Sequence, residues 1–470
     1  MPTCNIAKKG LSGLQSSSPA SAFLTCDMDA ARTPFLAILP PLAIILEKKT
    51  DMRIFFMIIL ILFIWINCIA QSENKIDWKS DLEYLKKELP QKHTNLFFKM
   101  SQNEFISEIN NLIQQVPYLS DYEVADRLLQ HIAKIGDTHT SINFGRLNAS
   151  DKLLPYNLYW FNDGLYILAV KQGFENLLGK KLIEINGFKI EQIVDSLSTL
   201  LPLDNSAGVK SSVPKIAGFL PHLIYFGFTN GGKIKLKIED TDGNNSIVEI
   251  SDTELKDNRW IGYEPDSIAF CWKNKGKYFV EQYFTDDSIY YLQYNICRSK
   301  EMEQRFGDRK KAKDLPSFIE FEKNVFNTIR NKPIKKFIVD LRFNGGGTSD
   351  QGTDFVNKLK DNKEINQKGK LFVITGKQTF SSGLVNVMDF KNKTQATFIG
   401  EETSGKPNHY GDVRFLTLPS SELRISYSTK YFKYSDKDMD SFEPDSVIET
   451  TFLDYKKGID PVYEYIRKLK

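Results

Sequence analysis

The fold is decided by one stretch, LFVITGKQTFSSGLVNVMDFKNKTQATFIGEETSGKPNHYG, at residues 371–411. Its first five residues are apolar and predict a buried strand, which ends at Gly376. Two serines, Ser381 and Ser382, then stand where an apolar helical pattern begins. A serine at such a turn faces the unpaired amides and the positive end of the helix, which favours an oxyanion there. It is either a nucleophile or a simple helix cap, and the local pattern alone favours the cap.

The size and charge of the chain restrict its class. Its 470 residues suffice for two or three domains, 41% are hydrophobic, and 62 basic against 59 acidic side chains give a formal charge of +3. No basic run is interleaved with aromatic residues, so nothing points to nucleic acid as a partner. Metal-ligand spacings such as CxxC and HExxH do not occur. We therefore expect neither a metal nor another cofactor.

The segment before residue 71 contains the pattern of a secretory signal. From Met52 the sequence reads MRIFFMIILILFIWINCIAQ, a basic residue and an apolar core that end at the small Ala70. We expect the natural start at Met52; a lipid-modified Cys68 and an uncleaved anchor are the alternatives. All three place the remainder outside the cytoplasm, in the periplasm, secreted or held at a membrane.

Removal of that segment would leave two cysteines, Cys271 and Cys297. They can form one disulfide in an oxidising compartment or remain as two buried thiols. The sequence leaves both options open.

Helical patterns follow up to residue 136. Ser101 with Glu104, and Ser120 with Glu123, have the spacing of capping boxes, in which the serine and the glutamate each satisfy an amide at a helix start. Each box opens an apolar stripe at helical spacing. We therefore predict two helices here.

A histidine follows the second helix directly, in the loop Asp137-Thr138-His139-Thr140. A histidine in a short polar loop, beside an acid that can orient it, is a candidate general base. Taken alone, such a residue is more often an ordinary surface histidine.

Short apolar runs alternate with turns between residues 153 and 250, and they predict a small β-rich module. The run KLIEINGFKI at residues 181–190 leads into a helix-like stretch up to residue 200. A binding module and a purely structural insert remain equally open.

A glycine-rich turn follows a later predicted strand, in the sequence IVDLRFNGGG that ends at Gly347. Its three glycines let the backbone approach a ligand closely with its amides exposed. A phosphate cradle fits poorly, since no Lys-Ser or Lys-Thr follows and the GxGxxG spacing is absent. A flexible turn and an amide donor for an oxyanion remain. Strand and helix patterns alternate from residue 272 onward, which indicates a mixed α/β domain.

Several separated motifs resemble one family, the tail-specific or C-terminal processing serine peptidases. They are DLRFNGGG at 340–347, TFSSG at 379–383 and GEETSGKPNHYG at 400–411. IGDTHT at 135–140 resembles the histidine segment of the tricorn-like branch, and the KLIEING region is similar to the PDZ-like module of such proteins. The resemblance covers most of the chain after residue 71.

This resemblance implies an α/β fold with a crotonase-like ββα-repeat catalytic core, an N-terminal helical segment and a small β-rich PDZ-like domain. The expected organisation is an upstream extension with the signal peptide at 1–70, the helical segment at 71–150, the PDZ-like module at 151–255 and the peptidase core at 256–470.

The resemblance also implies a nucleophile and an oxyanion hole. Ser381 aligns with the nucleophile, because its interval to Lys406 matches the family interval from nucleophile to lysine. The amide of Ser382 and that of Gly346 or Gly347 would form the oxyanion hole.

Two residues compete for the role of base, His139 and Lys406. In the lysine-using branch a glutamine follows the lysine by one helical turn, whereas Tyr410 stands there in this chain and Pro407 follows Lys406 directly. This departure favours His139, as in the histidine-using branch. For the acid that orients the histidine, Asp438 is the first candidate and the acid two residues before the histidine is the second.

The expected function is that of an extracytoplasmic serine peptidase, which cleaves extended or unfolded polypeptides through an acyl-enzyme, with cleavage near C-termini as one option. A catalytically inactive binding protein on the same fold is the main alternative, and an acyl hydrolase acting on a small ester is a third. The oligomeric state stays open.

Overall fold

The computed structural model describes residues 76–144, 147, 150–251 and 259–470. The expected signal peptide, with Met52 and Cys68, lies outside these residues. No helix in the described part combines the length and the apolar content that a bilayer span requires.

The described α-helices, in chain order, are α1 (Trp78–Lys92), α2 (Gln102–Gln115), α3 (Asp121–Ile135), α4 (Ile190–Ser198), α5 (Ser206–Ile216), α6 (Leu220–Tyr225), α7 (Phe270–Lys273), α8 (Lys300–Phe306), α9 (Phe318–Asn331), α10 (Asp350–Lys360), α11 (Ser382–Lys393), α12 (Phe452–Lys457) and α13 (Pro461–Lys468).

The described strands are β1 (Ile142–Asn143), β2 (Tyr156–Phe161), β3 (Gly164–Lys171), β4 (Lys181–Ile185), β5 (Phe188–Lys189), β6 (Lys233–Glu239), β7 (Asn245–Ser251), β8 (Trp260–Gly262), β9 (Phe279–Phe284), β10 (Ile289–Tyr294), β11 (Lys336–Asp340), β12 (Leu371–Thr375), β13 (Thr397–Gly400), β14 (His409–Thr417), β15 (Arg424–Phe432) and β16 (Ser446–Val447).

A six-stranded sheet carries the glycine turn and the serine turn. Its order is β16-β13-β12-β11-β10-β9, parallel except for the antiparallel pair β9 and β10. Strands β10 and β12 are buried along their whole length, as expected of parallel strands covered on both faces. Strands β11 and β12 are parallel neighbours, with Asp340 opposite Ile374. The turns that follow them therefore meet at one edge of the sheet.

Helices cover both faces of this sheet. Successive residues of a strand point to opposite faces. Accordingly, Val339 belongs to the apolar cluster that includes α9, α10 and α11, and Ile338 belongs to the cluster that includes α13. This arrangement confirms the mixed α/β class predicted from the sequence.

A second sheet occupies the predicted β-rich region, in the order β2-β3-β4-β6-β7 with β5 on β4 and β8 on β3. Helices α5 and α6, which the sequence analysis did not predict, lie between β5 and β6. Strand β8 stands beyond the expected boundary at residue 255 and still pairs with β3. The PDZ-like and crotonase-like identities and the domain boundaries stay predictions.

A third sheet brings the histidine loop to the serine turn. Strand β1 begins three residues after His139 and pairs with β15, with Ile142 opposite Ile425. Strand β15 forms a hairpin with β14, which begins three residues after Lys406. A segment far upstream in the chain is thereby attached beside the serine turn.

The predicted helix starts are present. Ser120 and Glu123 satisfy each other's amides in a complete capping box, whereas Ser101 only accepts a hydrogen bond from the amide of Glu104.

Both described cysteines, Cys271 and Cys297, are buried free thiols.

A buried ion network supports the strand that ends in the glycine turn. Arg342 donates two hydrogen bonds to the carboxylate of Asp460, at 2.9 and 2.8 Å, and one from Nε to Asp340 at 3.0 Å. The hydroxyl of Tyr291 donates to the other oxygen of Asp340. Burial acts to raise the pKa of Asp460, but the charge and hydrogen bonds of Arg342 outweigh it and lower the pKa. The guanidinium is thus the shared partner of two buried acids.

Replacing Arg342 by methionine should destabilise the protein by about 3–5 kcal/mol, because two buried carboxylates lose their cation. The free energy of unfolding in urea at neutral pH measures this. The loss should shrink at acidic pH, where the two acids are protonated. Arg467→Met removes an arginine that pairs with Glu464 and Asp287 at the surface and should leave the free energy of unfolding nearly unchanged. Equal losses in the two variants would contradict the assignment.

Candidate active site

Ser381 stands on a strained turn between β12 and α11. Its φ of 50° and ψ of −125° are unusual for a residue with a side chain. It occupies the cap position of α11, yet its side chain caps no amide of that helix in the described structure. Oγ instead lies 2.9 Å from Nε2 of His139. The contact joins two residues that the sequence singled out separately and removes the capping interpretation.

The imidazole of His139 lies between two other rings. Phe380 stacks on it with ring centres 4.7 Å apart, and His409 at 5.5 Å. Burial lowers the pKa of His139 to about 4, against the opposing charge of Asp137. The ring is therefore neutral at neutral pH, the form that can accept a proton.

The other ring nitrogen of His139, Nδ1, is buried and makes no hydrogen bond of good geometry with any described group. The backbone carbonyl of Tyr410 acts on the ring and raises its pKa. If Nε2 accepts the serine proton, Nδ1 must carry the hydrogen, and this carbonyl is a candidate acceptor for it. Nothing in the local sequence signals a backbone acceptor.

The carboxylate of Asp137 holds the histidine loop in place. Oδ1 accepts a hydrogen bond from the amide of His139 at 3.0 Å. Oδ2 accepts from Nε2 of His93 at 3.0 Å and from the hydroxyls of Thr140 and Ser428, both at 2.6 Å. Burial raises the pKa of Asp137, but these hydrogen bonds outweigh it and lower the pKa to about 2. Asp137 thus contacts the backbone of the catalytic loop and stays ionised.

Two of these hydrogen-bond partners, His93 and Ser428, were not predicted from the sequence. The amide of Asn95 donates to Nδ1 of His93 at 3.0 Å, so the hydrogen of His93 is on Nε2 and points at Asp137. His93 follows α1 without any distinctive motif. Ser428 had a weak signal, because Ser426 and Ser428 alternate along an otherwise large-residue strand.

Lys406 lies beside the site but contacts a different partner. Its Nζ is 3.9 Å from Oδ1 of Asp204, and no hydrogen bond between Lys406 and Ser381 occurs in the described part of the chain. Asp438 is exposed, and no hydrogen bond or ion pair links it to His139 among the residues described. The geometry therefore groups Ser381 with His139 and leaves both other residues outside this contact.

Backbone amides for an oxyanion converge near Ser381. A Cβ on Gly346 would lie 2.9 Å from Cβ of Ser381 and 3.0 Å from the amide nitrogen of Ser382, so only glycine fits. The amide of Gly346 donates to Oδ1 of Asn344 at 3.0 Å. The amides of Ser382 and Gly347 have no acceptor among the described residues, and the hydroxyl of Ser382 donates to the carbonyl of Gly347 at 2.7 Å. Of the two glycines, Gly347 is the one with a free amide.

The described residues contain no group of three or more histidine, cysteine, aspartate or glutamate side chains that could hold a metal ion. The groups that meet at Ser381 are a hydroxyl, a neutral imidazole and two backbone amides. This set is suited to nucleophilic attack on a carbonyl.

Comparisons with known proteins give a family profile and several similar folds. The sequence profile of peptidase family S41 matches residues 314–368, which include the glycine turn. Mature CPAF has a similar structure, with a TM-score of 0.54 and 15% identity over 83% of this chain and 95% of that chain. CPAF complexed with lactacystin gives a TM-score of 0.53 and a CPAF mutant 0.52, at 15% and 14% identity, each over 83% of this chain and 96% and 95% of theirs.

At these identities the structural likeness shows a shared fold. No curated protein sequence matches the chain. The family profile and the fold together confirm the resemblance that the separated motifs indicated.

Replacing Ser381 by glycine should raise the free energy of unfolding by on the order of 1 kcal/mol, because glycine adopts a positive φ without strain. Chemical denaturation measures the change. Ser382→Gly, one residue later at an ordinary φ, should instead lower stability through the lost hydrogen bond to Gly347. A destabilised Ser381→Gly would show that the turn is not strained.

Proposed function

We propose that this chain is a serine-type peptidase of the tail-specific kind; the matching profile of peptidase family S41 and the fold shared with CPAF support the proposal. It hydrolyses peptide bonds in extended or unfolded polypeptides, outside the cytoplasm, with Ser381 as nucleophile and His139 as base. The observation that carries the proposal is the 2.9 Å contact between Oγ of Ser381 and Nε2 of His139.

Acylation begins when Oγ of Ser381 attacks the scissile carbonyl carbon. Nε2 of His139 takes the hydroxyl proton as the C–O bond forms and then gives it to the leaving amine as the C–N bond breaks. The neutral resting state of the ring supports this order, because a charged imidazole could not accept the proton. The product of this half-reaction is an ester on Ser381.

The tetrahedral intermediate needs donors for its oxyanion. The free amides of Ser382 and Gly347, with the positive end of α11, support that role. Each such donor typically contributes about 3 kcal/mol to lowering the barrier. Water then attacks the ester carbonyl carbon while Nε2 of His139 takes one of its protons. As the bond between the acyl carbon and Oγ breaks, His139 gives that proton to Oγ, which releases the new carboxyl terminus and restores Ser381 and the neutral ring.

Lys406 is not needed as a base in this scheme. Its Nζ lies 3.9 Å from Oδ1 of Asp204 and makes no hydrogen bond to Ser381 in the described part of the chain. We therefore assign the chain to histidine-dependent chemistry and give Lys406 a supporting role.

The substrate and location follow from less direct observations. The signal-like segment from Met52 supports an extracytoplasmic site of action, attached to a membrane only through that segment or a lipid on Cys68. The sheet formed by β2 to β8 has edge strands to which an extended chain could add as a further strand. This supports the PDZ-like role expected for the region, with a polypeptide as partner.

Gly346→Ala should reduce kcat by about a hundredfold or more, because the added Cβ would displace Ser381 and the Ser382 amide from reacting geometry. Gly345→Ala is the matched control: a Cβ there meets no atom within 4 Å, so activity should remain. Hydrolysis of fluorescently labelled casein measures both. Similar activity of the two variants would remove the glycine turn from the mechanism.

Ser381→Ala and His139→Gln should each lower the rate of casein cleavage at least about a thousandfold, since they remove the nucleophile and the base of one unit. The double variant should be no worse than either single variant. His131→Gln, on α3, is the control and should keep full activity. Cleavage that survives Ser381→Ala would refute the proposed function.

A further inference from the structure

One buried acid beside the site has no part in the mechanism so far. Asp204 lies in the loop between α4 and α5, and its side chain is 3% exposed. Oδ1 is 3.9 Å from Nζ of Lys406. Oδ2 is buried and makes no hydrogen bond of good geometry with any described residue. A buried carboxylate so weakly compensated is costly to keep ionised.

The charges around Asp204 oppose one another. The pKa of Asp204 is raised to about 6, mainly by burial. The charge of Asp137 also acts to raise this pKa, while the charges of Lys406 and Lys99 and the side chain of Thr138 act to lower it. Asp204 is therefore ionised at neutral pH but protonated in mild acid.

Two short routes lead from Asp204 to the imidazole of His139. The first is Thr138, the residue directly before the histidine. The second is Lys406, whose carbonyl is 3.1 Å from Nδ1 of His409, and His409 stacks on His139. A change at Asp204 thus reaches both the backbone and the ring face of the base.

The Asp204 loop is fixed to the catalytic segment. Nδ2 of Asn205 donates to the carbonyls of Thr403 and Asp440, at 3.0 and 2.6 Å. Oδ1 of Asn205 accepts from the amide of Gly208 and starts α5. These bonds hold the carboxylate of Asp204 against Lys406 rather than letting it turn to solvent.

We propose that ionised Asp204 is a positioning residue, which holds Thr138 and Lys406 so that His139 stays aligned with Ser381. The proposal rests on the proposed function. It gives Lys406 a role as the ion-pair partner of Asp204, and it makes the loop after α4 part of the active site.

The first test is independent of turnover. Because the folded-state pKa of Asp204 is raised, its ionisation destabilises the fold as pH increases from the ordinary range of aspartate to about 6. Asp204→Asn should therefore melt at a higher temperature than wild type above pH 6 and at about the same temperature well below the ordinary aspartate pKa. Asp195→Asn, an exposed acid on α4, should match wild type throughout. A lower melting temperature for Asp204→Asn above pH 6 would mark a merely structural residue and overturn the proposal.

The second test measures the base directly. Asp204→Asn should slow both casein cleavage and fluorophosphonate labelling of Ser381 about tenfold to a hundredfold at neutral pH, by misplacing His139. In the pH profile of kcat/KM, the acidic limb of the variant should lose the ionisation of Asp204 near pH 6 and keep that of His139 near pH 4. Lys406→Met combined with Asp204→Asn should add little further loss. If the acidic limb is unchanged in Asp204→Asn, the role of Asp204 is wrong and the proposed function still stands. If the wild-type protein neither cleaves casein nor is labelled at Ser381, the proposed function is wrong and this inference fails with it.

Discussion

The carboxylate of Asp137 is the interaction on which the site depends. It accepts hydrogen bonds from four groups, on the segment after α1, on its own loop and on β15. Together with the pairing of β1 and β15, this shared acceptor holds a histidine 242 residues upstream of Ser381 at the serine turn. The carboxylate is buried, and both of its oxygens accept hydrogen bonds, so its position is fixed. It holds the loop through the backbone amide of His139 and leaves the imidazole ring able to contact Ser381.

The site combines two features that are unfavourable for the fold but useful for catalysis. Ser381 has a strained backbone conformation, and the His139 ring is buried with one nitrogen poorly satisfied. The surrounding structure holds both features in place. Strands β11 and β12 are paired in register, and Gly346 leaves no space beside Ser381. Arg342 joins two buried acids next to the glycine turn. Strain at a functional site supported by a rigid scaffold is the expected pattern.

Local sequence patterns predicted the elements whose signals are local. The strand 371–375 and the capping box at Ser120 are as predicted, because apolar runs and caps act within a few residues. Helix α10 was not predicted, since polar residues interrupt its apolar stripe. Motifs indicated Ser381 and His139, whereas His93 and Asp204 stand out only through their contacts with distant segments.

The central claim is that His139 activates Ser381. The most direct measurement is peptide mapping by mass spectrometry after treatment with a fluorophosphonate, in wild type and in His139→Gln. The account predicts an adduct on the peptide that contains Ser381, formed much more slowly in His139→Gln because the neutral imidazole no longer removes the hydroxyl proton. An adduct on a different residue, or equally fast labelling of Ser381 in the two proteins, would contradict it.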